Sequence, residues 1–284
     1  MEMKLGNYTV SKAEEMPKRL SMLLWGMAGC GKTTLAATAP GEKLWINFDP
    51  DGITSIAGLK SQHENSAVDT VLKNQIHVLD LSAQPARVID GFKRDDHLGL
   101  GKLFAQEDCT IDTVVVDSLT RVSQLSIESA IASGQHGRAT IEKPGQSVYG
   151  ARNALTYRVI SDILTVTGKY NKNVIFITHE GPAQTNEEGV MLFITMALGG
   201  QLPQLSANQI SEVWVMADTG KKRRIAIRPV RGYKPVKSRM FDTTGEAEFD
   251  WEYDINNPNP NMEIATWWKR FQDGGTKIPI PKAK

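Results

Sequence analysis

Gly26-Met27-Ala28-Gly29-Cys30-Gly31-Lys32-Thr33, followed by Thr34, fits the pattern G-x-x-x-x-G-K-[S/T]. Its surroundings suit that pattern. An apolar run from Leu20 to Trp25 precedes it and reads as a buried strand, and Lys32 to Ala39 reads as a helix stopped by Pro40-Gly41. Glycines at these spacings let backbone N–H groups turn inward around an anion, and a helix N-terminus adds partial positive charge. In such a loop Lys32 bridges the β- and γ-phosphates of a nucleotide and the Thr33 hydroxyl ligates magnesium. The segment Gly26 to Thr34 is therefore expected to hold ATP with Mg2+.

A phosphate loop needs a second magnesium anchor, an acid at the carboxyl end of a neighbouring apolar strand. Ile111-Asp-Thr-Val-Val-Val-Asp117-Ser118 supplies one, with Asp117 as the candidate. Further apolar runs, Leu44 to Phe48, Ile76 to Leu79 and Val174 to Thr178, are continuous rather than alternating, as in strands buried on both faces. Helical spacing marks Leu119 to Ser133 and Ala151 to Lys169. Together these predict an α/β fold with a mostly parallel central sheet flanked by helices.

Ligands of such sheets bind beyond the carboxyl ends of the strands. At those ends stand Asp49 and Asp51, in Asp49-Pro-Asp51-Gly52, and His179, in Ile177-Thr-His179-Glu180. An acid at 49 or 51 suits a general base acting on water, and His179 suits a hydrogen bond to the γ-phosphate. Beyond residue 210 the pattern alternates: Val213 and Val215, then Ile225 and Ile227, joined by Asp218-Thr-Gly220. That predicts a C-terminal antiparallel hairpin on the sheet edge. Asn257-Pro-Asn-Pro260 is a breaker, after which Ile264, Trp267, Trp268 and Phe271 mark a short amphipathic helix. The aromatic stripe suits packing on its own core, base stacking, or docking on a neighbouring subunit. The expected division is an N-terminal extension over 1–19, an ATPase core over 20–250, and a helix with a flexible tail over 251–284.

Among 284 residues, 33 Lys and Arg nearly balance 32 Asp and Glu, so no global field favours a polyanion and nucleic-acid binding has to come from local clusters. Only Cys30 and Cys109 are present, without metal-ligand spacing, which fits a reducing, cytoplasmic compartment. No export signal or membrane-spanning run is read, and the five histidines are scattered.

The motifs resemble those of RecA-like P-loop ATPases, in particular compact phage nucleotide-binding proteins grouped with single-strand annealing and recombination. The resemblance covers about residues 20 to 245. It rests on Gly26 to Thr33, the strand ending Asp49-Pro-Asp51, Val-Val-Val-Asp117-Ser118, Phe176-Ile-Thr-His179, Ala197-Leu-Gly-Gly200, and the basic Tyr233-Lys-Pro-Val-Lys237-Ser-Arg239. It implies that Asp51 occupies the place of the family's catalytic glutamate, and that His179 couples nucleotide state to a DNA-binding loop. Aspartate in place of glutamate implies slow or DNA-stimulated hydrolysis.

The same resemblance implies an oligomeric ring or filament on single-stranded DNA, in a host-cell cytoplasm if phage-encoded, with a single-strand DNA-binding protein as a candidate partner. Arg138 and Lys143, in the loop around Gly134 to Gln146, and the segment Gly181 to Gln201 are the DNA-contact candidates. The run Lys221-Lys222-Arg223-Arg224 suits a solvated turn, a phosphate-backbone contact, or fingers reaching a neighbouring subunit's γ-phosphate. Arg223, Arg224, Lys237 and Arg239 are the finger candidates. A regulatory ATPase acting through protein partners without DNA is the competing reading. A small-molecule kinase is disfavoured because no arginine-rich lid lies between the two phosphate-site motifs.

Overall fold

The computed structural model describes residues 18–49, 75–82, 89, 91, 98–135, 139–253 and 259–281, together with the backbone of two short strands near the N-terminus. Those two strands, β1 (Met3–Leu5) and β2 (Tyr8–Val10), pair antiparallel with each other. The main sheet contains β3 (Ser21–Gly26), β4 (Glu42–Asn47), β5 (Ile76–Asp80), β6 (Ile111–Asp117), β7 (Asn173–His179), β10 (Glu212–Asp218), β11 (Arg223–Ala226) and β12 (Glu248–Trp251). A separate ribbon joins β8 (Gln184–Thr185) and β9 (Met191–Phe193).

Sheet order is β12-β11-β10-β3-β7-β6-β4-β5. From β10 to β5 every neighbour is parallel, and β11 and β12 extend the sheet antiparallel. The expected α/β architecture is thus observed. The hairpin differs in one respect: its first strand, β10, is an interior parallel neighbour of β3, and the edge is formed by β12. The alternation of Val213 and Val215 misled because the intervening Trp214 and Met216 are buried as well, on the other face. Glu248-Phe-Asp-Trp251 is too short for a pattern of its own, and the expected boundary at 250/251 cut through it.

Because side chains alternate across a strand, successive core residues feed two apolar layers. Leu23, Trp25, Val114, Val116, Val174, Phe176, Val213 and Val215 face one layer. There they meet Val122 and Leu125 of α3 (Leu119–Ala132) and Val159, Ile160 and Ile163 of α4 (Gly145–Lys169). Met22, Leu24, Val115, Ile175, Trp214 and Met216 face the other. That layer is closed by Leu35 and Ala36 of α1 (Lys32–Ala37) and by Ile264, Trp267 and Trp268 of α6 (Ile264–Gly274). Shorter helices are α2 (Leu100–Phe104), α5 (Leu202–Gln209) and a 3-10 turn over Pro260–Met262. Helix α4 begins at Gly145, before the expected Ala151; Gly145 to Gly150 carries no apolar period that would mark its first turns in the sequence.

The aromatic stripe of α6 is core. Trp267 is 1% exposed and its ring meets those of Trp214, Phe241 and Phe249 at 5.5–5.8 Å. Thr38, just past α1, caps this helix from a distant part of the chain: Ile264 N–H donates to its Oγ1 and Ala265 N–H to its carbonyl, both at 3.0 Å. The phosphate-loop helix and the C-terminal helix are therefore one packed unit.

At the opposite, amino end of β10, Glu212 is 2% exposed and accepts four hydrogen bonds, from Trp214 Nε1, Ser238 Oγ, and the N–H groups of Arg239 and Met240. Burial raises its pKa and these donors oppose that rise. Glu212→Ala leaves the donors unsatisfied and should lower stability by about 3 kcal/mol, read in urea unfolding. An unchanged midpoint would show that the 236–241 segment is held without it.

Candidate nucleotide site

Strand β3 ends at Gly26, where the backbone turns with φ 146° and no Cβ fits against the Met216 carbonyl of β10. Gly29 and Gly31 follow with φ 78° and 99°, in the region that favours glycine. Met27, at 57% exposure, tops the loop, and Ala28 is exposed with it. Cys30 is buried, and burial raises its thiol pKa. Lys32 is only 5% exposed, and its Nζ donates to the carbonyls of Gly26 at 3.0 Å and Met27 at 2.6 Å. Thr33 and Thr34, half-buried in the first turn of α1, follow it, and the Thr33 hydroxyl faces the Asp117 carboxylate, opposing the rise of its pKa. A loop of three positive-φ glycines, a sequestered ammonium and a hydroxyl facing a carboxylate fits a magnesium-bound nucleoside triphosphate.

Asp117 lies where β6 ends, 8% exposed. Burial, with Asp49 adding to it, pushes its pKa up to about 6, against the pull of Lys32, Trp45 and Thr33. The Trp45 indole N–H faces this carboxylate without a hydrogen bond of standard geometry. The following peptide, Asp117–Ser118, is cis, and Ser118 Oγ caps α3 by accepting from Arg121 N–H at 3.3 Å. Asn47, opposite Asp117 in the β4–β6 ladder, donates to the Asp49 carbonyl at 2.9 Å and Asp80 Oδ1 at 3.1 Å. Its own Oδ1 is buried with no partner among the described residues. Asp49 thus lies within the field of Asp117. Asp51 falls outside the described residues.

His179 ends β7, the strand between those of the phosphate loop and Asp117. Burial and then Lys32 lower its pKa, with Asp49 opposing, which favours the neutral imidazole. The backbone N–H of His179 donates to Thr120 Oγ1 at 2.9 Å, and that hydroxyl also meets Thr178 Oγ1 at 2.9 Å. Its carbonyl accepts from Ala197 N–H at 2.9 Å. His179 is therefore clasped between the first turn of α3 and the 197–200 segment.

The basic candidates separate. Arg223 packs against Gly31, while Arg224 on the opposite face pairs with Glu248 at 2.9 Å and Asp250 at 3.0 Å. Lys222 pairs with Asp250 at 2.8 Å, so much of the run Lys221 to Arg224 is compensated. Lys237 and Arg239 lie beside Glu212, at the end of the sheet away from Gly26, and burial lowers the Lys237 pKa. Lys143 lies in an exposed turn closed on Thr140, and Arg138 is outside the described residues.

Sequence reasoning missed Arg152. Its guanidinium is bonded to Asn153 Oδ1 at 2.9–3.1 Å, stacks over Tyr149 at 5.0 Å, and packs where a Cβ on Gly199 would stand. Among the described residues no carboxylate pairs with it. No sequence signal pointed to it, since its neighbours Gly199 and Gly200, with positive φ of 74° and 56°, are far away in the chain.

The raised Asp117 pKa has a consequence for the nucleotide-free protein. Below about pH 4 the carboxyl is neutral in folded and unfolded chains alike, so no penalty arises; the penalty on its charged form grows as pH rises through about 6. Asp117→Asn should therefore raise stability at neutral pH by on the order of 1–3 kcal/mol and leave it little changed near pH 4. A variant melting no higher than the parent at neutral pH would contradict the cost assigned to this carboxylate.

A family model described as an AAA domain matches residues 18–249. No curated protein matches the chain. Among solved structures, the crystal structure of the RadB recombinase is similar over 83% of this chain and 87% of that one, at 14% identity and a TM-score of 0.45. With the model spanning both phosphate-site motifs and most of the sheet, the chain belongs to the AAA domain family of P-loop NTPases.

Proposed function

We propose that the protein is a RecA-like ATPase that binds single-stranded DNA as an oligomer and acts in phage DNA recombination or single-strand annealing. The observation that carries this reading is the clasp at His179. One side reaches through Thr120 to the Asp117 end of β6, and the other through Ala197 to Gly199, packed on Arg152, and Gly200, packed on Asn153. A group that meets the γ-phosphate is thereby tied to a cation with no carboxylate partner among the described residues.

In this reading Lys32 and the backbone of Gly26 to Gly31 hold the triphosphate of ATP, with Thr34 on the same turn, while Thr33 and Asp117 hold magnesium. The metal, when bound, neutralises charge on the phosphate oxygens. A carboxylate orients water for attack at the γ-phosphorus and takes its proton, giving ADP and phosphate. Asp51 was the candidate from resemblance; the shared field of Asp49 with Asp117 and His179 supports Asp49 for that role. His179 hydrogen-bonds the γ-phosphate. Arg152 meets the phosphate backbone of DNA and Tyr149 stacks a base, with Lys143 and Arg138 as flanking contacts. Lys237 and Arg239, remote from their own chain's loop, suit contacts to a neighbouring subunit's nucleotide. A host-cell cytoplasm and a single-strand DNA-binding partner complete the proposal.

One observation favours the competing reading, a switch acting through proteins. Val190, Met191 and Leu192 on the β8–β9 ribbon are 48–56% exposed, an apolar tip that suits a protein surface.

ATP hydrolysis measured with and without single-stranded DNA separates the two. The recombination reading expects stimulation, together with oligonucleotide binding that weakens steeply as salt rises from about 50 to 200 mM. Arg152→Ala should weaken that binding about tenfold. Turnover indifferent to DNA, with no salt-sensitive binding, would leave the protein-partner switch.

A further inference from the structure

We propose that Arg223 binds the nucleotide held by its own chain's loop, in cis, rather than serving a neighbouring subunit. The proposal rests on Gly26 to Thr33 being the nucleotide site, and its geometry follows from strand register. Gly26 pairs with Met216, and Met216 with Ile225. Two residues further along the hairpin, Asp218 pairs with Arg223, which places this pair about 7 Å beyond the end of β3, level with the loop. Residues two apart share a face, so Arg223 lies on the same side as Ile225, the side covered by α1. Arg224 emerges on the other face, where acids hold it.

The contact is direct. A Cβ built on Gly31 would stand 3.3 Å from Arg223 Nη1 and 3.4 Å from its Cδ, and 3.0 Å from Cζ3 of Trp251. Trp251 is the cross-strand partner of Arg223 and is 1% exposed, so it backs the arginine like a wall. The one ion pair of Arg223 among the described residues, to Asp218, spans 3.7 Å, longer than a hydrogen bond, and 40% of the side chain remains exposed. A planar guanidinium lying along the loop whose N–H groups cradle an anion can add its own fork to a phosphate seated there. Reaching a second subunit would require it to leave Gly31 and Trp251.

The test is the dissociation constant of N-methylanthraniloyl-ADP, measured by fluorescence at concentrations where the protein sediments as a monomer. Arg223→Ala should weaken binding at least tenfold, Arg223→Lys by less, and Lys221→Ala, in the exposed part of the same run, by under twofold. Circular dichroism and melting of each variant report folding, and Arg223→Lys carries the test if Arg223→Ala does not fold. Parental affinity in the folded Arg223 variants overturns the cis assignment. Recovery of ATP hydrolysis on mixing Arg223→Ala with Lys32→Ala chains would overturn it too, since only a residue acting across subunits is complemented in that way. If Lys32→Ala itself binds the probe like the parent, the failure lies in the nucleotide-site reading and not in Arg223.

Discussion

The rest of the structure depends on how closely β10 lies against β3 at Gly26. The Met216 carbonyl occupies the space a side chain would need, and that approach fixes where β3 ends, where the loop turns, and how far the β10–β11 hairpin projects beyond it. On the other side of β3, β7 is interposed before β6, so His179 ends between the loop and Asp117. The two-sided burial of these strands holds their carboxyl ends level. Lys32, Thr33, Asp49, Asp117, His179 and Arg223 are brought together by that alignment alone, from five separate stretches of chain.

Such a site is costly to fold. A nearly buried lysine is satisfied by the carbonyls of its own loop, a buried aspartate is held toward its neutral form beside a second acid, and Asn47 Oδ1 lacks a partner among the described residues. Each would be improved by a bound polyanion and cation, in the way sites built for binding tolerate local conflict. The cost is offset by aromatic packing beneath, where Trp214, Phe241, Phe249 and Trp267 lock the C-terminal helix to the α1 face and Thr38 caps that helix.

The features read best from sequence were those whose chemistry is contiguous. Gly26 to Thr33 and Val114 to Asp117 carry their meaning in eight and four adjacent residues, and β3, β4, β6 and β7 stood out because burial on both faces makes their apolar runs continuous, whereas β5, read the same way, is an edge strand with Val78 38% exposed. Features assembled across the chain were not legible. Arg152 is one arginine in a helix until Gly199 packs on it, and nothing in Lys221 to Arg224 says which arginine faces the loop, since that follows from register with Met216. The tryptophans of α6 allowed several roles, and only Trp214 and Phe241, far away in sequence, make them core.

The claim on which everything else rests is that Gly26 to Thr33 is a magnesium-dependent nucleotide site. Titration calorimetry of ATP into the intact chain, with and without magnesium, tests it most directly when Lys32→Ala is measured beside it. One nucleotide per chain, bound in the parent with magnesium and lost in the variant, is the expected result. Equal affinity in both proteins, or no heat of binding in the parent, would contradict it.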